Sequence, residues 1–282
     1  MTDVRGTALV TGASSGIGLA TVAALTADGW HVIATARVPE RADDLRTLAS
    51  GNAAVEVRQL DVTVADSVRA CIAAVVADRG TIDLLVNNAG AGHRGTLEQL
   101  DDEELRRVLE LNFLGVARTT REVIPTMRVR RAGRIITVTS TNGIIGMPFS
   151  DAYNASKFAV EGLMEGLAPV LATFGVYVSV LEPGPVRTAF LRNTGGRVTD
   201  VDPDDPYVEL LTRYNGTMAG LMGAGESAVD VGGLIAAIAR EAVPHFRYQS
   251  SPVTTGLAAR KLVDPTGDSV VAATSAFLQQ GA

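Results

Sequence analysis

Thr11-Gly12-Ala13-Ser14-Ser15-Gly16-Ile17-Gly18 follows a short apolar run, Thr7–Val10, and leads into Gly16–Asp28, an Ala- and Leu-rich segment with helical spacing. Strand, glycine-rich turn and helix, in that order, let a backbone receive a pyrophosphate. The helix N-terminus supplies free N–H donors and a partial positive charge. Gly12 permits the tight turn, Gly16 lets the backbone approach the phosphates, and Gly18 allows close helix–sheet packing. Ser14, Ser15 and Ile17 complete the phosphate loop. The glycines are spaced three residues and then one, not one and then two.

The pattern continues outward from this turn. Apolar runs at His31–Ala36, Val55–Gln59, Leu84–Asn87, Arg134–Thr139 and Val176–Leu181 alternate with helical segments at Ala65–Arg79, Glu103–Thr126 and Tyr153–Phe174. Such alternation predicts an α/β fold: a single Rossmann-type, doubly wound parallel sheet with helices on both faces. Ligands of such sheets bind at the carboxyl ends of the strands. The chain has no repeat or linker, so residues 1–282 are read as one domain. Residues 189–225 are expected to elaborate it as a mobile substrate lid, and 226–282 as a C-terminal extension. Phe190, Leu191, Tyr207, Leu210, Leu211, Tyr214, Met218, Leu221 and Met222 give the lid its apolar surface. Tyr207–Met222 also suits an amphipathic helix belonging to the core. Residues 244–266, with several Pro and Gly, read as irregular.

Composition narrows the function classes. With 282 residues, 46% of them hydrophobic, the chain can bury a sizeable core. A formal charge of −6 without a basic tract argues against a nucleic-acid partner. Arg128–Arg134 reads as a solvated helix end. Cys71 stands alone, so no internal disulfide forms, in keeping with a reducing cytoplasm. The polar N-terminus lacks a signal-peptide pattern. The apolar stretch Ala159–Leu181 carries Glu161, Glu165 and Gly175, which argues against a membrane span. His31, His93 and His245 have no ligand spacing, so no metal is expected.

Tyr153 and Lys157 are four apart on a helix and share a face, with Cβ atoms about 5–6 Å apart. A tyrosine titrates near pH 10, and a nearby ammonium lowers that value. Ser140 follows a strand, where its hydroxyl could hydrogen-bond a substrate oxygen. Tyr-x-x-x-Lys by itself equally suits a surface lysine lying over a half-buried tyrosine. At the end of the second strand, Thr35-Ala36 offers no carboxylate, and Arg37 comes next. An acidic residue there selects NAD by binding the ribose hydroxyls. Its absence, with a guanidinium that can hold a 2′-phosphate, predicts preference for NADP(H).

Together these residues resemble the short-chain dehydrogenase/reductase family. The resemblance rests on Thr11–Gly18, Asp61-Val62, Asn87-Asn88-Ala89-Gly90, Asn112, Ser140, Tyr153-Asn154-Ala155-Ser156-Lys157 and Pro183-Gly184-Pro185-Val186-Arg187-Thr188, in the family's order. Ser140–Ala168 is similar to the branch containing type 1 17β-hydroxysteroid dehydrogenase and related retinol dehydrogenases.

The resemblance implies interconversion of a carbonyl and an alcohol, with Tyr153 as proton donor in reduction and acceptor in oxidation. Lys157 would lower the Tyr153 pKa and hold the nicotinamide ribose. Ser140 would orient the substrate carbonyl, and Asn112 would hold a water in a proton relay. Asp61 would contact the adenine beside the Val62 backbone. Asn88, with Ala89 and Gly90, would line the ribose. Val186 and Thr188, in the loop opened by Pro183 and Gly184, would hold the nicotinamide amide. A homodimer or homotetramer through the Glu103–Thr126 and Tyr153–Phe174 helices is also implied.

Three rival readings are weaker. A non-catalytic NADP(H)-binding sensor would lack Ser140, Tyr153 or Lys157, and all are present. An NAD-dependent alcohol dehydrogenase working oxidatively is argued against by Arg37. A sugar-nucleotide epimerase would be longer, with different glycine spacing.

Overall fold

The computed structural model describes residues 5–188, 190, 194–196 and 204–263. Seven strands form one sheet: β1 (Thr7–Val10), β2 (His31–Ala36), β3 (Val55–Gln59), β4 (Leu84–Asn87), β5 (Gly133–Val138), β6 (Val176–Glu182) and β7 (Arg247–Gln249). Their order is β7-β6-β5-β4-β1-β2-β3, and every pairing is parallel. Strand order reverses between β1 and β4, which makes their carboxyl ends the natural binding crevice.

β1, β2 and β4 are apolar almost throughout because both faces of a parallel sheet are covered. One face packs on α1 (Gly16–Ala27), α2 (Asp43–Ser50) and, later in the chain, a helix at Ala228–Arg240, through Val22, Leu25, Leu45 and Ile235. The other packs on α3 (Ala65–Arg79), α5 (Gly115–Arg130) and α6 (Asp151–Ala172), through Ile72, Val123, Met127, Val160 and Met164. α4 (Asp102–Leu109) leads through a π-helical turn, Glu110–Leu114, into α5. The spacing reads as one helical segment over Glu103–Thr126, and the family resemblance implies that Asn112 interrupts its hydrogen-bond ladder. The π-helical turn falls there, and such bulges recur at functional sites.

The C-terminal third is more regular than its sequence suggests. α7 (Val208–Gly223) buries Leu211 and Tyr214 against Phe149 and leaves Leu210 and Leu221 exposed. It is followed by α8 (Ala228–Arg240). The stretch 244–266, expected to be irregular, instead holds β7 and α9 (Pro252–Val263). Pro252 takes the first helical position, where its missing N–H costs nothing. Ser251 Oγ accepts the Thr254 N–H at 3.4 Å as a cap. Residues 189, 191–193 and 197–203 of the expected lid, and 264–282 of the extension, lie outside the described residues. Among the described residues no helix is long and apolar enough to cross a membrane.

Candidate active site

The glycine turn and the Asn87–Gly90 turn are laced together across the crevice. Thr11 Oγ1 accepts the N–H groups of Asn88 and Ala89, both at 3.0 Å. Asn88 Nδ2 donates to the Thr11 and Gly12 carbonyls, also at 3.0 Å. Gly12 has φ +65°, and a Cβ there would stand 2.8 Å from the Ala89 Cα. A Cβ on Gly18 would meet Asn88 Nδ2 at 2.5 Å. Both positions therefore need glycine. Asn87 is buried: its Nδ2 donates to Thr120 and Thr137 hydroxyls, and its Oδ1 accepts from Thr119 at 2.6 Å.

Ser14 and Ser15 are exposed, the Ser15 side chain makes no cap, and α1 has no acidic residue in its first turn. The first N–H groups of α1 thus remain available, a donor set that fits a dinucleotide pyrophosphate. Thr188 lies beside Gly16: a Cβ on that glycine would be 3.2 Å from its methyl group. Val186 is buried, and the Pro183 carbonyl accepts the Thr141 N–H at 3.0 Å, which ties this loop to the segment after Ser140. Arg37 is exposed one residue beyond β2. Beyond β3, Asp61 Oδ1 accepts the N–H and hydroxyl of Thr63 at 2.9 and 2.7 Å, and Val62 is buried. Arg37 and Asp61 therefore stand on the β2–β3 side of the glycine turn, and Ser140, Tyr153 and Lys157 on the β4–β6 side.

On that second side, Tyr153 and Lys157 occupy one face of α6, with Lys157 Nζ 5.7 Å from the Tyr153 ring centroid. The Ser140 hydroxyl acts on the Tyr153 phenol and favours its ionised form. Asn154 steadies the intervening loop, since its Oδ1 accepts from Asn142 at 2.8 Å and its Nδ2 donates to the Met147 carbonyl at 2.8 Å. Asn112 is buried in the π-helical turn. Its amide grips the Ala91 peptide at both ends, each at 2.9 Å, and donates to Ser156 Oγ at 3.1 Å. Asn112 Oδ1 and Lys157 Nζ flank the same Gly90 Cα.

The electrostatics differ from expectation in one respect. Lys157 was expected to depress the Tyr153 pKa, but the phenol is pushed up to about 12, chiefly by burial. The Ser140 hydroxyl and the charge of Arg94 oppose the rise. Lys157 is itself buried, its ammonium donates to the Val138 carbonyl at 3.1 Å, and burial brings its pKa down to about 8. Nearby Glu161, one turn along α6, favours the charged lysine.

Several residues around the site were not anticipated. Arg247 of β7 donates to Glu161, to Glu182 at 2.7 Å and to Glu165 at 2.6 Å, behind Lys157. Burial raises the Glu161 pKa, and the Glu182 charge adds to this. The i,i+4 spacing of Lys157 and Glu161 was the available signal; the Arg247 contacts are between distant segments and had none. Arg94 likewise had no local signature. Among the histidines, His93 is buried without a hydrogen bond, 3.7 Å from Glu104, and burial lowers its pKa. Among the described residues no cluster of three or more metal-ligating side chains is present.

Comparison with known proteins gives this geometry a context. Retinol dehydrogenase 8 of Bos taurus is 36% identical over 280 residues, covering 95% of this chain and 88% of that protein. 17-beta-hydroxysteroid dehydrogenase type 1 of Homo sapiens is 35% identical over 280 residues, covering 95% and 84%. These two match the branch that Ser140–Ala168 resembles. Among solved structures, a short chain dehydrogenase/reductase from Burkholderia phymatum in complex with NAD superposes with a TM-score of 0.79, 26% identity and coverage of 92% and 93%. A single-residue variant of actinorhodin polyketide ketoreductase with NADPH gives 0.72, 31% identity and coverage of 92% and 98%. The short chain dehydrogenase family matches residues 6–197. On that match, and on relatives this similar over almost its whole length, the chain belongs to the short-chain dehydrogenase/reductase family of oxidoreductases.

Proposed function

We propose that this chain is an NADP(H)-dependent oxidoreductase that interconverts an apolar ketone or aldehyde with its alcohol. The observation that carries the reading is the meeting of Ser140, Tyr153 and Lys157 beside a glycine turn with free helix N–H groups. NADP(H), when bound, supplies the hydride chemistry. The protein's part is positioning and one proton. Charge grows on the carbonyl oxygen in reduction; the Ser140 hydroxyl hydrogen-bonds that oxygen and the Tyr153 hydroxyl delivers the proton. Lys157 holds the nicotinamide ribose, and Asn112 keeps the Ala91 peptide beside it in place. Asp61, Asn88, Val186 and Thr188 bind the remaining parts of the nucleotide. A homodimer or homotetramer through α5 and α6 belongs to the same reading. The direct test is a panel of ketones and aldehydes with NADPH and NADH, followed by loss of reduced-cofactor absorbance. No turnover on any carbonyl would defeat the proposal.

Choice of NADP(H) over NAD(H) rests on Arg37. The two solved neighbours hold different nucleotides, so the fold accommodates either and local charge decides. Arg37 is exposed, makes no ion pair among the described residues, and follows an uncharged strand end. A 2′-phosphate there gains a charge-assisted contact, expected to favour NADP(H) by about ten- to a hundredfold in kcat/KM. Ala36→Asp with Arg37→Ser is expected to reverse the preference. Equal or tighter binding of NADH by the wild type would remove it.

A lid at 189–225 suits an apolar substrate. The Phe190 ring lies 5.9 Å from that of Tyr153, edge to face, and α7 leaves Leu210 and Leu221 outside the core. Leu210→Ser with Leu221→Ser is expected to raise KM for apolar ketones severalfold and leave KM for NADPH unchanged. Equal damage to both would assign α7 to the core alone.

A further inference from the structure

Beyond Gly90 the chain runs past the Tyr153 helix at Gly92-His93-Arg94-Gly95. His93–Arg94 pairs with Gly195–Gly196, and Gly95 bridges Ser150, just ahead of α6. Gly92 abuts the Phe190 ring, which in turn stands beside Tyr153. Arg94 is thereby held on the substrate side, with only 7% of it exposed. Among the described residues one of its five N–H donors is engaged: Nη1 to Ser150 Oγ at 2.9 Å. Its Cζ lies 4.9 Å from the ring centroid of the buried Tyr214. Among the described residues it has no carboxylate within ion-pair distance. The protein's other well-covered arginines include two that do: Arg58 pairs with Glu56 and Asp78, and Arg247 with three glutamates.

A guanidinium cannot shed its charge by losing a proton. A neutral hydroxyl and an aromatic face offset only part of its desolvation. The other four N–H donors of Arg94 have no hydrogen-bond partner among the described residues, while the side chain keeps a small exposed fraction. The charge also reaches the Tyr153 hydroxyl, where it opposes the effect of burial. The segment that carries Arg94 abuts Phe190, whose ring stands beside that of Tyr153, so both residues lie on the same side of the crevice.

We propose that Arg94 anchors the substrate through a carboxylate, so that the substrate is an apolar carbonyl compound bearing a carboxylate away from the reacting carbon. The proposal rests on the carbonyl-reductase reading above. One guanidinium with one neighbouring hydroxyl suits a single negative charge, and its planar fork matches a carboxylate in bidentate fashion. The pairing supplies the missing counter-charge and orients the carbonyl toward Tyr153.

Binding, not turnover, tests this independently of the catalytic assignment. Decanoate and decanol are titrated by calorimetry into enzyme saturated with NADP⁺, which keeps the anion away from the phosphate site. Decanoate is expected to bind about tenfold or more tightly than decanol. Arg94→Met and Arg94→Gln are both expected to erase the difference. Without added ligand, Arg94→Met is expected to melt no lower than wild type, because it removes an unbalanced buried charge. Equal binding of the two probes by the wild type would overturn the proposal. So would an Arg94→Gln protein that keeps the decanoate preference, whatever the fate of the methionine variant. Should carbonyl turnover be absent while the decanoate preference depends on Arg94, the anchor stands and the reductase reading fails.

Discussion

Replacing Tyr153 with Phe is expected to cut turnover by about 10²–10⁴-fold and leave NADPH affinity nearly unchanged. The ring keeps its edge-to-face contact with Phe190, so packing is preserved. Only the hydroxyl is lost, and with it the group that Ser140 acts on and the transferable proton. A phenol pushed up to about 12 is fully protonated at neutral pH, ready to act as the acid in reduction. The reductive rate should therefore be nearly flat between about pH 6 and 9, apart from other groups. The reverse reaction needs the phenolate, so its rate should climb with pH, by about tenfold per unit. Steady-state rates in both directions across this range test both statements. A Phe variant that keeps more than a tenth of wild-type kcat would remove Tyr153 as the acid. A falling oxidative rate with rising pH would remove the phenolate from the mechanism.

Replacing Lys157 with Met is expected to cost about 10²–10³-fold in kcat and to weaken nucleotide binding about tenfold. It is also expected to change how stability depends on pH. Burial holds the folded-state pKa of Lys157 at about 8, below its ordinary 10.5. Between those values the unfolded chain binds the extra proton. Stability conferred by this site therefore rises as pH rises from about 8 toward 10.5, by at most about 1.4 kcal/mol per pH unit. Below pH 8 the lysine is charged in both states, and burying that charge destabilises the fold. The methionine variant should lack the rise, so its stability relative to wild type should decline across that window. Tyr153 has the opposite sign, but its pKa is raised from 10 to about 12, so its influence lies above pH 10. Urea unfolding of both proteins at pH 7, 8, 9 and 10, without added nucleotide, measures the difference. A constant difference over the series would show that Lys157 does not titrate there. Unchanged nucleotide affinity in the variant would remove its ribose role.

Local sequence pattern was enough to define six of the seven strands of the central sheet, because each of them carries apolar residues that the sheet buries. Thr7–Val10, His31–Ala36, Val55–Gln59 and Leu84–Asn87 form over the residues expected from that pattern. The glycine turn was legible for the same reason: the backbone demands of Gly12 and Gly18 arise at a strand–turn–helix unit whose order is written in consecutive residues. The spacing of Tyr153 and Lys157 put them on one helical face, and the family's ordered motifs added Ser140 and Asn112.

Contacts between distant segments settled the rest. β7 reads Arg-Tyr-Gln, with no apolar alternation, and exists through pairing with Val180–Glu182 and through Arg247 meeting three glutamates of other elements. Asn112 clamps a peptide twenty-one residues away, which no helical pattern predicts. The raised pKa of Tyr153 follows chiefly from burial, opposed by Ser140 and then by Arg94, and not from its nearest lysine in sequence. Arg94 itself reads as an ordinary surface charge until Ser150 and Tyr214 close around it. Desolvation depends on what every neighbouring element contributes, and it therefore becomes defined only when the chain has folded.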